Sequence, residues 1–115
     1  MPKKKDDVRA EVKKVAKLID SKKGTGVIVL DMRKISTITD YFIIATGNSV
    51  THLQALARYI IETTDEKPIN PMREFDNNWV LLDYGPFIVH LFLAETRSYY
   101  GLEDLWADAP RLKKL

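Results

Sequence analysis

Two periodicities alternate along this chain, and their order restricts the fold more than any other feature. Val8, Val12, Val15, Ala16 and Ile19 recur at the spacing of one helical face, which predicts an amphipathic helix over residues 6 to 22 that ends near Gly24. GVIVLD at 26–31 and DYFIIATG at 40–47 are short apolar β-branched runs of the kind that form buried strands. Ser49 then stands where a helix cap belongs, ahead of Leu53, Leu56, Ala57, Ile60 and Thr64 on one face, and that helix must stop before Pro68. WVLLDYG and FIVHLF follow as two strands around Tyr84-Gly85-Pro86, a tight turn that makes them an antiparallel hairpin.

KPINPMREFDNN, residues 67–78, reads as a loop with a short extended stretch around Met72. The last segment breaks at Gly101 into two short helical pieces closed by Pro110. A crossover through a helix after the second strand and a hairpin after the third give an α/β (α+β) fold, a mixed sheet packed with helices. With 115 residues, the chain is expected to be a single domain over 1–115.

Charge is divided unevenly. Residues 1–23 carry nine Lys/Arg against four Asp/Glu, and the end adds Arg111, Lys113 and Lys114. From Glu74 to Pro110 seven acids, Glu74, Asp76, Asp83, Glu95, Glu103, Asp104 and Asp108, face one cation, Arg97. Such a half repels phosphate and suits a basic protein, although an ordinary solvated acidic face has the same composition. The basic first helix suits a weak nonspecific contact with RNA, or serves only to keep the protein soluble.

No apolar run reaches the roughly 20 residues of a membrane span, and no leader pattern opens the chain, so a cytoplasmic protein is expected. Cysteine is absent, which removes disulfides and thiol chemistry. No cofactor or metal motif is present.

Two long strings carry a resemblance. LDMRKISTITDYFIIATGNSVTHLQALA, residues 30–57, and WVLLDYGPFIVHLFLAETRSYYGLEDLWADAP, residues 79–110, are similar to the signatures of the ribosomal silencing factor (Iojap) family. In the first string Asp31, Arg33, Asp40, Tyr41, Phe42, Thr46, Gly47, Ser49 and His52 match. In the second the match runs through Trp79, Asp83, Tyr84, Gly85, His90, Phe92, Glu95, Arg97, Tyr99, Tyr100, Leu102, Glu103, Leu105, Trp106 and Asp108. Glu74 is followed by Phe75 where the family has a Glu-Gly pair, and Pro86 replaces an acidic residue at the hairpin tip.

The resemblance implies a domain with nucleotidyltransferase-like topology that binds the large ribosomal subunit through large-subunit protein fourteen. It would block joining of the small subunit and lower translation when nutrients are scarce. Relatives in organelles assist assembly of the large subunit, which is the alternative role. The resemblance leaves open a homodimer of the free protein that hides its docking face.

Trp79, Asp83, Tyr84, His90, Glu95, Arg97 and Tyr100 are the candidate partner-binding residues. Tyr84 is foremost, because a large ring at a hairpin end is expected to await a covering partner. Trp79 and Trp106 also fit a core, Trp106 beside Leu102 and Leu105. His90 shares a strand face with Ile88 and Phe92, as a core histidine or one that reaches a groove near Asp83. Asp31, Arg33, Asp40, Gly47, Ser49 and His52 are structural or anion-site candidates. At TGNS, helix capping competes with anion binding. TGNS also resembles the Gly-Ser element of nucleotidyltransferases, but the close Asp-x-Asp pair those enzymes need is missing around Asp83, so catalysis is not expected.

Overall fold

The computed structural model describes residues 5–69, 73–75 and 78–112, with backbone alone at 5, 6 and 73–75. Helix α1 spans Lys5–Ser21 and buries Val8, Val12, Val15, Ala16 and Ile19, the stripe that the 3.6-residue period puts on one face. Its end differs in one detail from the expected glycine stop. Lys23 takes the left-handed conformation, with φ 70°, and Gly24 is needed for space. A Cβ at Gly24 would sit 2.3 Å from Ile19 Cγ2, and its N–H donates to the Ile19 carbonyl at 2.8 Å.

Strands β1 (Thr25–Asp31) and β2 (Tyr41–Gly47) pair antiparallel, and helix α2 (Val50–Thr63) follows. Next come β3 (Arg73–Phe75), β4 (Trp79–Asp83) and β5 (Phe87–Leu93), then the short helices α3 (Ala94–Tyr100) and α4 (Leu102–Leu105). The sheet order is β1-β2-β5-β4-β3. β2 and β5 are parallel, joined through the α2 crossover, while β4 pairs antiparallel with both β5 and β3. The fold is therefore a mixed α+β sheet, as the element order predicts. β3 adds an edge strand inside the segment read as a loop. Met72 and Asp76, like Lys3, Lys4, Lys113 and Lys114, lie outside the described residues.

Both helices α1 and α2 cover one face of the sheet. Val29, Ile43, Ala45, Val80, Leu82, Val89 and Leu91 point into that core and meet Leu53, Leu56, Ala57 and Ile60 of α2. The opposite face holds a smaller cluster of Leu30, Met32, Ile44, Phe92 and Ala109, with Phe42, Trp79, Leu102 and Trp106 packed against it. Phe42, Trp79, Leu81 and Ile88 on this second face remain partly exposed.

The outer edge of β1 is covered by the chain's own tail. Asp31 N–H donates to the Pro110 carbonyl at 2.7 Å, and Leu112 N–H donates to the Val29 carbonyl at 3.0 Å. Leu30 and Arg111 form a bridge between them. Pairing of this kind removes an open edge from chance association.

Candidate protein-docking face

Alternation along the hairpin places Trp79, Leu81 and Asp83 of β4 on the same side as Ile88, His90 and Phe92 of β5, away from α1 and α2. The register sets Trp79 opposite Phe92, Leu81 opposite His90 and Asp83 opposite Ile88. Phe42 on β2 lies beside Ile88 and meets the His90 ring edge-on at 4.7 Å. Trp79 is surrounded by rings. Phe92 lies at 4.9 Å, Tyr100 at 4.9 Å and His90 at 5.8 Å between centroids.

The Trp79 indole N–H donates to His90 Nδ1 at 3.2 Å. An accepting Nδ1 puts the imidazole proton on Nε2. That nitrogen is buried and has no hydrogen-bond partner among the described residues, which costs about 1–3 kcal/mol. Burial also pulls the His90 pKa from 6.5 down to about 4, so the ring is neutral. At 5% exposure it belongs to the core beneath the face, not to a surface groove near Asp83.

The chain leaves β5 directly into α3 and turns at Gly101, whose φ of 55° is left-handed. Tyr99 is 83% exposed and Tyr100 46% exposed, with the two rings edge to face at 5.1 Å. Glu95 is exposed on the first turn. Leu105 is also exposed, whereas Trp106 and Leu102 pack on the sheet, Trp106 at 6.3 Å from Phe42. The grouping of Trp106 with Leu105 is thus corrected.

Arg97 requires a larger correction, because its side chain turns inward and is not presented to a partner. It is ion-paired with Glu103, and its Nη1 donates to Thr46 Oγ1 at 2.9 Å. Gly26, at φ 57°, leaves it room, since a Cβ there would lie 2.8 Å from Nη1. Arg97 ties α3 and α4 to the ends of β1 and β2. With this cation engaged by Glu103, it is not available to neutralise the other acids of the C-terminal half.

Tyr84 is the clearest reversal. It is 6% exposed and stacks on Phe87 at 4.7 Å, and its hydroxyl shares a 2.9 Å hydrogen bond with Thr64 Oγ1. Burial raises the phenol pKa, against the lowering effect of the Thr64 bond. The ring expected at the surface is a core ring under the end of α2. Asp83 shapes the turn, its Oδ1 accepting from Gly85 N–H at 2.8 Å while Gly85 adopts φ 89°. The Pro86 carbonyl accepts from Asp40 N–H at 2.9 Å, tying the hairpin tip to the start of β2.

The remaining candidates hold loops. Arg33 donates to both Asp31 oxygens, at 2.9 and 2.7 Å, and its side-chain hydrogen bond holds the Asp31 carboxyl below its ordinary range. Asp40 accepts from Met32 N–H through its backbone carbonyl at 2.8 Å. Gly47 gives space, since a Cβ would meet Leu53 Cδ2 at 2.6 Å. Ser49 Oγ accepts from His52 N–H at 3.1 Å, and His52 Nδ1 accepts from Asn48 N–H at 2.9 Å. His52 Nε2 then donates to the Lys22 carbonyl at 2.9 Å. The amides of Asn48 and His52 are thus used in capping α2 and tying it to the α1–β1 turn.

Reading from sequence missed Phe42, Leu81, Ile88 and Tyr99 as parts of the open face. Strand alternation held the signal for the first three. Among the described residues no cluster of three or more His, Cys, Asp or Glu could hold a metal ion, and no helix is long and apolar enough to cross a membrane.

Aromatic rings on a partly open sheet face, beside exposed tyrosines, are residue types enriched at protein interfaces. The family model described as "Ribosomal silencing factor during starvation" matches residues 5–115. A Bacillus subtilis protein named ribosomal silencing factor RsfS is 45% identical over 102 residues, covering 86% of each chain. A mouse protein named mitochondrial assembly of ribosomal large subunit protein 1 is 28% identical, with 84% of this chain matched to 45% of that one. A crystal structure of a Chromobacterium violaceum protein superposes with TM-score 0.77 at 30% identity, covering 85% of both chains. The chain belongs to the ribosomal silencing factor family.

Proposed function

We propose that this chain binds the large ribosomal subunit through large-subunit protein fourteen and prevents the small subunit from joining. The observation that carries the reading is the second sheet face, where Trp79 stays partly exposed between Phe92, His90 and Tyr100. Large rings with a polar handle are enriched among residues that dominate binding energy. Asp83 and Glu95 lie in the acidic half, which favours a basic partner and accelerates encounter at low salt. Trp79, Tyr100, Asp83 and Glu95 are the contact residues of this proposal, joined by Tyr99. Tyr84 and Arg97 act by holding the hairpin and α3 in place. The action is steric, with no chemical step.

The name of the mouse relative favours a second role, in assembly of the large subunit, for which the same docking would serve.

Sedimentation with separated subunits tests the proposal. Cosedimentation with free large subunits and little with small subunits is expected. The variant Tyr99→Ala/Tyr100→Ala, at exposed positions, is expected to lose on the order of thirtyfold in affinity, about 2 kcal/mol. Lys13→Glu/Lys17→Glu on α1 is expected to stay within about twofold of wild type, because phosphate contacts are not the source of affinity. Equal binding to both subunits would contradict the proposal. Loss of the ribosome by the helix variant, with the tyrosine variant intact, would move docking to rRNA.

A further inference from the structure

We infer that His90 is a positioning residue for docking, which fixes the partly exposed Trp79 ring by accepting its indole N–H at Nδ1. The inference rests on the docking face proposed above and adds to it a residue that no partner touches.

The geometry carries three parts of the argument. First, the 3.2 Å bond from Trp79 Nε1 to His90 Nδ1 engages the single polar atom of the indole inside the protein. What remains of Trp79 toward solvent is apolar ring. Secondly, the bond crosses between adjacent strands of a rigid hairpin, so it constrains the ring against the sheet itself. Packing on Phe92 and Tyr100 limits the ring's tilt, while the indole N–H itself goes to His90.

Thirdly, His90 is a costly side chain for a purely packing role. Its Nε2 is buried without a partner among the described residues, and its cross-strand neighbours Leu81 and Ile44 are apolar. A phenylalanine would fill similar space without that unpaired nitrogen. It would also leave the indole N–H of Trp79 without its acceptor. A surface ring held in its bound orientation loses less entropy when a partner covers it, and this is the gain to be expected from the bond.

The experiment uses the full chain with 15N-labelled indoles, Trp106 serving as internal reference for Trp79. His90→Phe keeps an aromatic ring and removes the acceptor; His90→Asn places a carbonyl oxygen close to the position of Nδ1. For His90→Phe, the Trp79 indole N–H is expected to shift and exchange faster, with large-subunit affinity down about tenfold. His90→Asn is expected to restore slow exchange and most of the affinity, a rescue that loss of packing would not produce. In Trp79→Phe, which has no N–H to place, adding His90→Phe is expected to bring no further loss. This last comparison is made between chains of equal helicity, so reduced folding of one variant does not decide it.

The inference is overturned if His90→Phe binds like wild type while its Trp79 N–H is released. Equal affinity losses from His90→Phe in the presence and absence of Trp79 would also overturn it. Failure of wild type itself to bind large subunits overturns the docking reading, a result distinct from either of these.

Discussion

Tyr84→Ala is expected to destabilise the fold by about 3 to 5 kcal/mol, a large share of the stability of a domain this size. The ring is buried beneath the end of α2 and stacks on Phe87, so truncation opens a cavity that α2 and the hairpin cannot close without breaking backbone hydrogen bonds. Tyr84→Phe separates the two contributions. It keeps the stacked ring and loses only the bond to Thr64 Oγ1, worth about 1 kcal/mol. Thr64 retains its bond to the Ile60 carbonyl at 3.0 Å, so no buried hydroxyl is left unpaired on that side. Urea unfolding of the three proteins measures both quantities. A loss below about 1 kcal/mol for Tyr84→Ala would mean that the ring lies at the surface after all.

Acid is expected to weaken the fold between pH 6.5 and about 4 through His90. Above pH 6.5 the imidazole is neutral both folded and unfolded, and it contributes no pH dependence. Below 6.5 the unfolded chain takes up a proton that the buried ring refuses until about pH 4, so the unfolded state binds more protons and stability falls with pH. Across that window the loss amounts to about 3 kcal/mol, and it levels off once the folded state is protonated too. Asp31, held low by Arg33, loses its stabilisation at lower pH, below its ordinary 3.8. The measurement is stability from pH 7 to 4 for wild type and His90→Asn. The difference between their curves is the His90 contribution, and parallel curves would contradict its burial as a neutral ring.

Local pattern made the main elements readable before any coordinates. The valines of α1 follow the helical period because one side of that helix enters the core, whereas β1, β2 and β5 read as nearly continuous apolar runs because both faces of the sheet bury residues there. β3 was legible only as a short extended stretch around Met72, because Lys67–Asn78 contains prolines and asparagines that signal a loop, and a three-residue edge strand is too short to show alternation. Tyr84 was misplaced for a different reason. A turn is recognised from its neighbours in sequence, but the residue that shares a hydrogen bond with the Tyr84 hydroxyl stands twenty positions earlier, at the end of α2. Arg97 repeats the lesson, since Glu103 lies on the next helix, beyond Gly101, while Thr46 and Gly26 arrive only through the sheet. The Trp79–His90 pair was nearer to hand. A hairpin centred on Gly85 brings β4 and β5 into register, and alternation already placed both residues on one face.

The central claim is that occupation of the large subunit by this small domain keeps the small subunit away. Light scattering during mixing of purified subunits measures this directly. Preincubation of large subunits with excess protein is predicted to reduce the amplitude of joining, in proportion to the fraction of large subunits occupied. Tyr99→Ala/Tyr100→Ala at the same concentration is predicted to leave joining near its uninhibited level. Normal joining with large subunits saturated by wild-type protein would contradict the claim, whatever the affinity of binding.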